Sequence, residues 1–174
     1  MKALRLIGTV FFLGLVLAFS GCGSKGGGTE PTTDKQFGLL SGESTTKTWN
    51  VTAVTLDGVD QTSAWSNFKL TIAGTKGQAA TYSYTTTGRP KDGSGNPLPC
   101  PWPAGGNVNG LGKWAFGTDP VTQITRDSGS DALAINYTVT ASSLQLQFNF
   151  TGTGYTDPGA RTGNITGTWV FSFN

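Results

Sequence analysis

From Trp49 to the C-terminus of this 174-residue chain, apolar and polar residues alternate with a period of two. That pattern leaves few folds open. A strand sends successive side chains to opposite faces, so each such run has one apolar and one solvated face. Trp49, Val51 and Ala53 share a face, with Asn50 and Thr52 between them. The pattern returns in Phe68-Leu70-Ile72, Ala80-Tyr82-Tyr84, Trp114-Phe116 and Thr122-Ile124-Arg126. It returns again in Leu133-Ile135-Tyr137-Val139, Leu144-Leu146-Phe148-Phe150 and Ile165-Gly167-Trp169-Phe171-Phe173. The runs are rich in Thr and aromatic residues, as strands are. Turn residues separate them at Asp57-Gly58, Gly74, Gly117–Pro120, Asp127–Asp131 and Ala141-Ser142. Most of these connections are short enough to force antiparallel neighbours. No segment after the N-terminal apolar run sustains a helical period. Short helical turns are expected only at Asp60–Trp65, capped by Asp60, and at Phe37–Ser41. Eight sequential antiparallel strands predict an all-β domain over residues 45–174. It would be an up-and-down barrel or a flattened version of one.

The missing residue types narrow the chemistry. The chain has no histidine, which removes Ser-His and Cys-His nucleophiles and histidine metal sites. No catalytic residue, cofactor or metal is expected. The twelve basic residues fall to ten once Lys2 and Arg5 are removed with a leader, against ten acidic ones. A net charge near zero offers no footprint for nucleic acid.

The N-terminus reads as an address. Lys2 and Arg5 precede an apolar stretch from Leu6 to Phe19, too short to span a bilayer well, and then Ser20-Gly21-Cys22. A basic start, an apolar run and small residues make a secretory signal over residues 1–21. The Ser-Gly-Cys ending resembles the lipobox of bacterial lipoproteins, with Phe19 where that family prefers Leu. The resemblance implies that Cys22 is the acylated mature N-terminus, a palmitate-type membrane anchor. Gly23, not Asp, follows the cysteine, which by the same resemblance implies the outer membrane; either side of that membrane is compatible. Residues 22–44 then read as a tether, because Gly23–Lys35 is Gly- and Thr-rich with no apolar side chain to join a core. With Cys22 acylated, Cys100 has no cysteine left to pair with.

The first strand carries a second resemblance. Lys47–Asp60, KTWNVTAVTLDGVD, followed by a meander ending in Trp-Val-Phe-Ser-Phe, resembles the lipocalin-like domains of bacterial lipoproteins. The resemblance implies a barrel with Trp49 as the signature tryptophan near its closed end. Lys47 stands where the signature has Gly. The arginine that packs over that tryptophan in the family has Arg126 and Arg161 as candidates.

The 88–110 loop holds five of the chain's eight prolines. Its Pro99-Cys100-Pro101-Trp102-Pro103 core should be stiff. It reads as a rim presenting Trp102 to a ligand, or as a surface loop covering the barrel end. Cys100 lacks a partner to activate it. Asp127–Asp131 reads as a hairpin turn, not a calcium loop. Asp57 and Asp60 read as turn residues, not an acid/base pair. Asn50, Asn136, Asn149 and Asn164 open Asn-x-Thr sequences that read as solvated strand positions.

Three classes of function follow. The first is a monomeric, membrane-tethered barrel holding a small apolar or amphipathic ligand. Tyr82, Tyr84, Phe148 and Phe150 would line its cavity, with Trp65 and Trp102 at the open end. The second is a non-enzymatic accessory protein whose barrel is filled, acting through its loops on a glycan or protein partner. The third is an integral membrane barrel with its apolar face toward lipid. Cavity volume separates the first two.

Overall fold

The computed structural model describes residues 29–43, 45–103, 112–156 and 161–174, with the side chains of 161 and 162 excepted. The leader, Cys22 and most of the tether lie outside these residues.

The eight predicted strands are present, and three short ones join them. They are β1 Thr46–Leu56, β2 Val59–Asp60, β3 Lys69–Thr75, β4 Gln78–Thr87, β5 Trp114–Phe116 and β6 Gln123–Arg126, then β7 Leu133–Val139, β8 Leu144–Phe150, β9 Thr153–Tyr155, β10 Arg161–Asn164 and β11 Gly167–Phe173. The main sheet runs β4-β3-β1-β11-β8-β7-β6-β5, with β2 hairpinned onto β1 and β9-β10 forming a separate ribbon. The first strand therefore lies beside the last, and every pair is antiparallel. This is an up-and-down barrel, nearly closed.

Its seam lies between β4 and β5. The Tyr84 N–H donates to the Gly112 carbonyl at 2.8 Å, and Ser83 bridges to Lys113. Beside these bonds, stacked rings cover the seam. Tyr82 stacks on Trp114 at 4.6 Å, and the Trp114 indole N–H donates to the Ser83 carbonyl at 3.1 Å.

The alternation sorts most strands as expected, but not β1. There a β-bulge between Val51 and Ala53 breaks the predicted Trp49-Val51-Ala53 face, so that Val54 is buried and Ala53 only half-buried. In β8, Leu144, Leu146, Phe148 and Phe150 are buried while Gln145, Gln147 and Asn149 are exposed. A lipid-facing barrel would reverse this order, with an apolar band outside. The outward positions here carry hydroxyls and amides, which argues against the integral-barrel reading. Asn50, Asn136, Asn149 and Asn164 are all exposed. Asp57 and Gly58 both have positive φ, 51° and 78°, the geometry of a two-residue type I′ hairpin joining β1 to β2. Asp60 accepts hydrogen bonds from the backbone and hydroxyl of Thr62, opening the short helix α2, Thr62–Trp65.

One element exceeds its prediction. A helix, α1, spans Thr32–Ser41, a full ten residues where only a terminal turn was expected. It covers the end of the barrel at which β1 begins. Phe37 and Leu40 are buried, and the Trp49 indole N–H donates to the Leu40 carbonyl at 2.8 Å. Tyr137 in β7 donates to Gln36 at 3.2 Å. The folded unit thus reaches back to α1, and the boundary at residues 44/45 falls inside it. Gly74, at φ 155°, permits this packing: a Cβ there would meet the Tyr82 ring at 2.8 Å and the Phe37 ring at 3.1 Å.

The cation over Trp49 is not one of the two arginines expected there. Lys47 Nζ sits 3.4 Å from the Trp49 ring centroid and donates to the Ala141 carbonyl at 2.7 Å. Partial burial lowers the Lys47 pKa. Arg126 packs elsewhere, and the Arg161 side chain lies outside the described residues.

Candidate functional site: the barrel interior

β1 runs from the barrel end covered by α1, where Trp49 bonds to Leu40, toward α2, where Val54 bonds to Thr62; the 88–103 segment approaches this second end. That segment starts at a forced turn. Gly88 has φ 67°, and a Cβ there would lie 1.8 Å from the Asn67 carbonyl oxygen. The chain then pairs Lys91 with Pro97 across a turn held by Asp92, which accepts from the backbones of Ser94 and Asn96 and the side chain of Asn96. Cys100 exchanges two backbone hydrogen bonds with Tyr155 of β9, at 2.9 and 2.8 Å. Arg89 Nη2 donates to the Tyr155 carbonyl and reaches Cys100 Sγ at 2.8 Å. The prolines hold the chain extended as it enters the barrel mouth.

Trp102 is carried inside by this stiff segment. It is 2% exposed and packs edge-on against Phe148 and Phe171, each at 5.7 Å, and against Tyr84 at 5.9 Å. Phe68 lies at 6.1 Å on another side. The expectation that Trp102 and Trp65 stand at an open rim is corrected here: both are interior. Trp65 packs edge-on against Phe68, Phe171 and Trp169 at 5.0, 4.9 and 5.7 Å. Of the expected cavity residues, Tyr84 and Phe148 meet Trp102 directly. Tyr82 belongs to the seam and stacks on Phe37 at 4.8 Å, and burial raises its pKa. Phe150 is buried at the β8 end.

A buried polar network holds the plug. Asp127, at φ 62°, accepts from the Tyr84 hydroxyl at 2.9 Å and from the Gly112 backbone N–H at 2.7 Å. Arg126 Nε lies 2.9 Å from Asp127 Oδ2, off the line of a good hydrogen bond. Arg126 Nη1 donates to the Pro101 carbonyl at 2.5 Å, and its guanidinium stands 5.2 Å from the Trp102 ring centroid. The Thr86 hydroxyl donates to the Pro103 carbonyl at 3.1 Å. The chain on both sides of Trp102 is therefore tied down. Burial raises the pKa of Tyr84, and it raises that of Asp127 against the opposing pull of Arg126. The Trp102 indole N–H has no partner among the described residues, although such groups usually find one when buried. Its packing overrides that cost.

Among the described residues, the space left around Trp102 is small. A cavity of about 20 Å³ lies among Leu70, Ile72, Tyr84, Trp102 and Leu146. That admits one water molecule and no larger guest. Cys100 is fully buried, and burial raises its thiol pKa. No cluster of three or more His, Cys, Asp or Glu side chains that could hold a metal ion occurs among the described residues. The sequence reading missed the Arg126–Asp127–Tyr84 network, because Arg126 closed a weak strand and Asp127 opened a turn. Two adjacent ionisable residues ending an apolar strand were the available signal.

Compared with protein-family profiles, with curated proteins and with solved structures, the chain matches none.

Proposed function

We propose that this chain is a lipid-anchored, lipocalin-like accessory protein of the outer membrane. Its barrel serves as a scaffold filled by its own Trp102, and it works through its surface, without catalysis. The observation that carries this reading is the packed interior, with about 20 Å³ left around Trp102. A carrier of small apolar ligands needs a cavity of hundreds of Å³. Tyr84, Phe148, Trp65 and Phe171 would line one only if Trp102 left, and the Arg126 and Thr86 hydrogen bonds oppose that departure. A polarity-sensitive fluorescent fatty acid tests the choice. No saturable binding is expected, whereas one-to-one binding in the micromolar range would restore the carrier reading.

The anchor rests on Lys2, the Leu6–Phe19 run and Cys22. Stable anchoring takes two or more acyl chains, as acylation of an N-terminal cysteine provides. Cys22→Ser should move the protein from the membrane to the soluble fraction. Retention of the variant after carbonate extraction would refute the anchor.

A further inference from the structure

The outer face of β6, β7, β8 and β11 carries no ionisable side chain at any outward position. Cross-strand register sets its amides in a row: Gln123 opposite Asn136, Asn136 opposite Gln147. A second row pairs Thr138 with Gln145. Rows on one face are about 7 Å apart along the strands. Two neighbouring depressions, of about 190 and 310 Å³, lie on this face and share Asn136 and Gln147. The side-chain amides of Gln123, Asn136, Gln145 and Gln147 make no hydrogen bond to the protein among the described residues. Each offers two donors and an acceptor outward.

We propose that this face binds a neutral glycan strand. The proposal rests on the reading that the filled barrel acts through its surface, and it names the partner class. A nucleic acid or a uronate polymer needs cations, and this face has none. A stable protein interface draws on aromatic, Met and Arg anchors, and no outward residue of the four strands is one. A lipid surface needs apolar area, and Val170 alone supplies it on β11. A neutral polyhydroxyl chain meets none of these objections. Its hydroxyls donate and accept, as the amides do, and nothing charged on either side must be desolvated. Without an aromatic platform the binding is weak, with Kd near 1 mM for one oligosaccharide. It gains strength when many anchored copies face one polymer.

Retardation of the full chain in detergent, on columns of immobilised cellohexaose, maltohexaose, chitohexaose and hexagalacturonate, tests this. Retardation is expected on at least one neutral column, unchanged between 50 and 500 mM salt, because no ion pair is involved. The double variant Asn136→Ala, Gln147→Ala should lose retardation at least tenfold. Thr81→Ala, on β4 away from this face, should keep it. No retardation on any neutral column overturns the proposal, as does retardation that survives the double variant or occurs only on hexagalacturonate and falls with salt. Concentration-dependent self-association abolished by Gln147→Glu, without glycan retardation, would assign the face to a second copy. Failure here with the fatty-acid probe still excluded removes the glycan and leaves the filled barrel standing.

Discussion

The indole N–H of Trp49 donates to the carbonyl of Leu40 at 2.8 Å, joining the first barrel strand to the helix that covers its end. Both side chains are fully buried. Trp49→Ala should cost about 3–5 kcal/mol and Leu40→Ala about 2–5 kcal/mol, as large-to-small core changes do. A fragment starting at Thr45 should melt well below one starting at Thr29, since it loses Phe37 and Leu40 and uncovers Trp49. Equal melting temperatures would show that α1 adds nothing to the core.

The buried Arg126–Asp127 pair should be costly to break from one side. Asp127→Ala leaves Arg126 buried without its counter-charge and Tyr84 without its acceptor, and should destabilise by about 3–5 kcal/mol. Chemical denaturation measures this. The double variant Arg126→Leu, Asp127→Ala should cost less than the two single changes added together, since neither charge is then stranded.

Three exposed turns should loosen in acid. Hydrogen bonds from Thr62, Asn96 and Thr122 hold the carboxyls of Asp60, Asp92 and Asp119 below their ordinary pKa values. A carboxylate with a depressed pKa stabilises the fold above its unfolded value, about 3.9, and loses that contribution as pH falls through the folded value. Amide exchange at Thr62, Ser94, Asn96 and Val121 should accelerate below about pH 4, beyond the intrinsic pH trend. Exchange that follows the intrinsic trend alone would contradict this account.

The strands were legible because each buries one face of a two-sided sheet, so local alternation records burial directly. Leu144 to Phe150 needed no long-range information. The helix α1 was half legible: Phe37, Leu39 and Leu40 marked its end, but the polar first turns Thr32–Lys35 have no apolar stripe and no side-chain cap. The placement of Trp102 was not legible. Its prolines announce stiffness, but whether a stiff loop points into or away from a barrel depends on partners far along the chain. Arg126 is 25 positions beyond the Pro101 carbonyl it binds, and Asp127 is 43 beyond Tyr84. The tyrosines expected to meet a ligand found that acceptor, a neighbouring ring and α1 instead.

Cys100 should behave as an inaccessible thiol, held by hydrogen bonds to Arg89 and the Trp102 carbonyl. It is fully buried, and its raised pKa leaves little thiolate at neutral pH. A thiol reagent should label it only at the rate of unfolding, and reductant should leave the melting temperature unchanged. Fast labelling of the folded chain would mean that the 88–103 segment leaves the barrel readily.

The central claim is that Trp102 occupies the space a ligand would need. Trp102→Gly removes the indole and should leave an apolar cavity, at about 3–5 kcal/mol of stability. Apolar cavities of about 150 Å³ stay dry and bind aromatic guests. Melting temperature measured against added indole is therefore the direct test. The account predicts that millimolar indole raises the melting temperature of Trp102→Gly and leaves that of the unaltered protein unchanged. An equal rise in the unaltered protein would contradict it, because the interior would then already hold a vacant site.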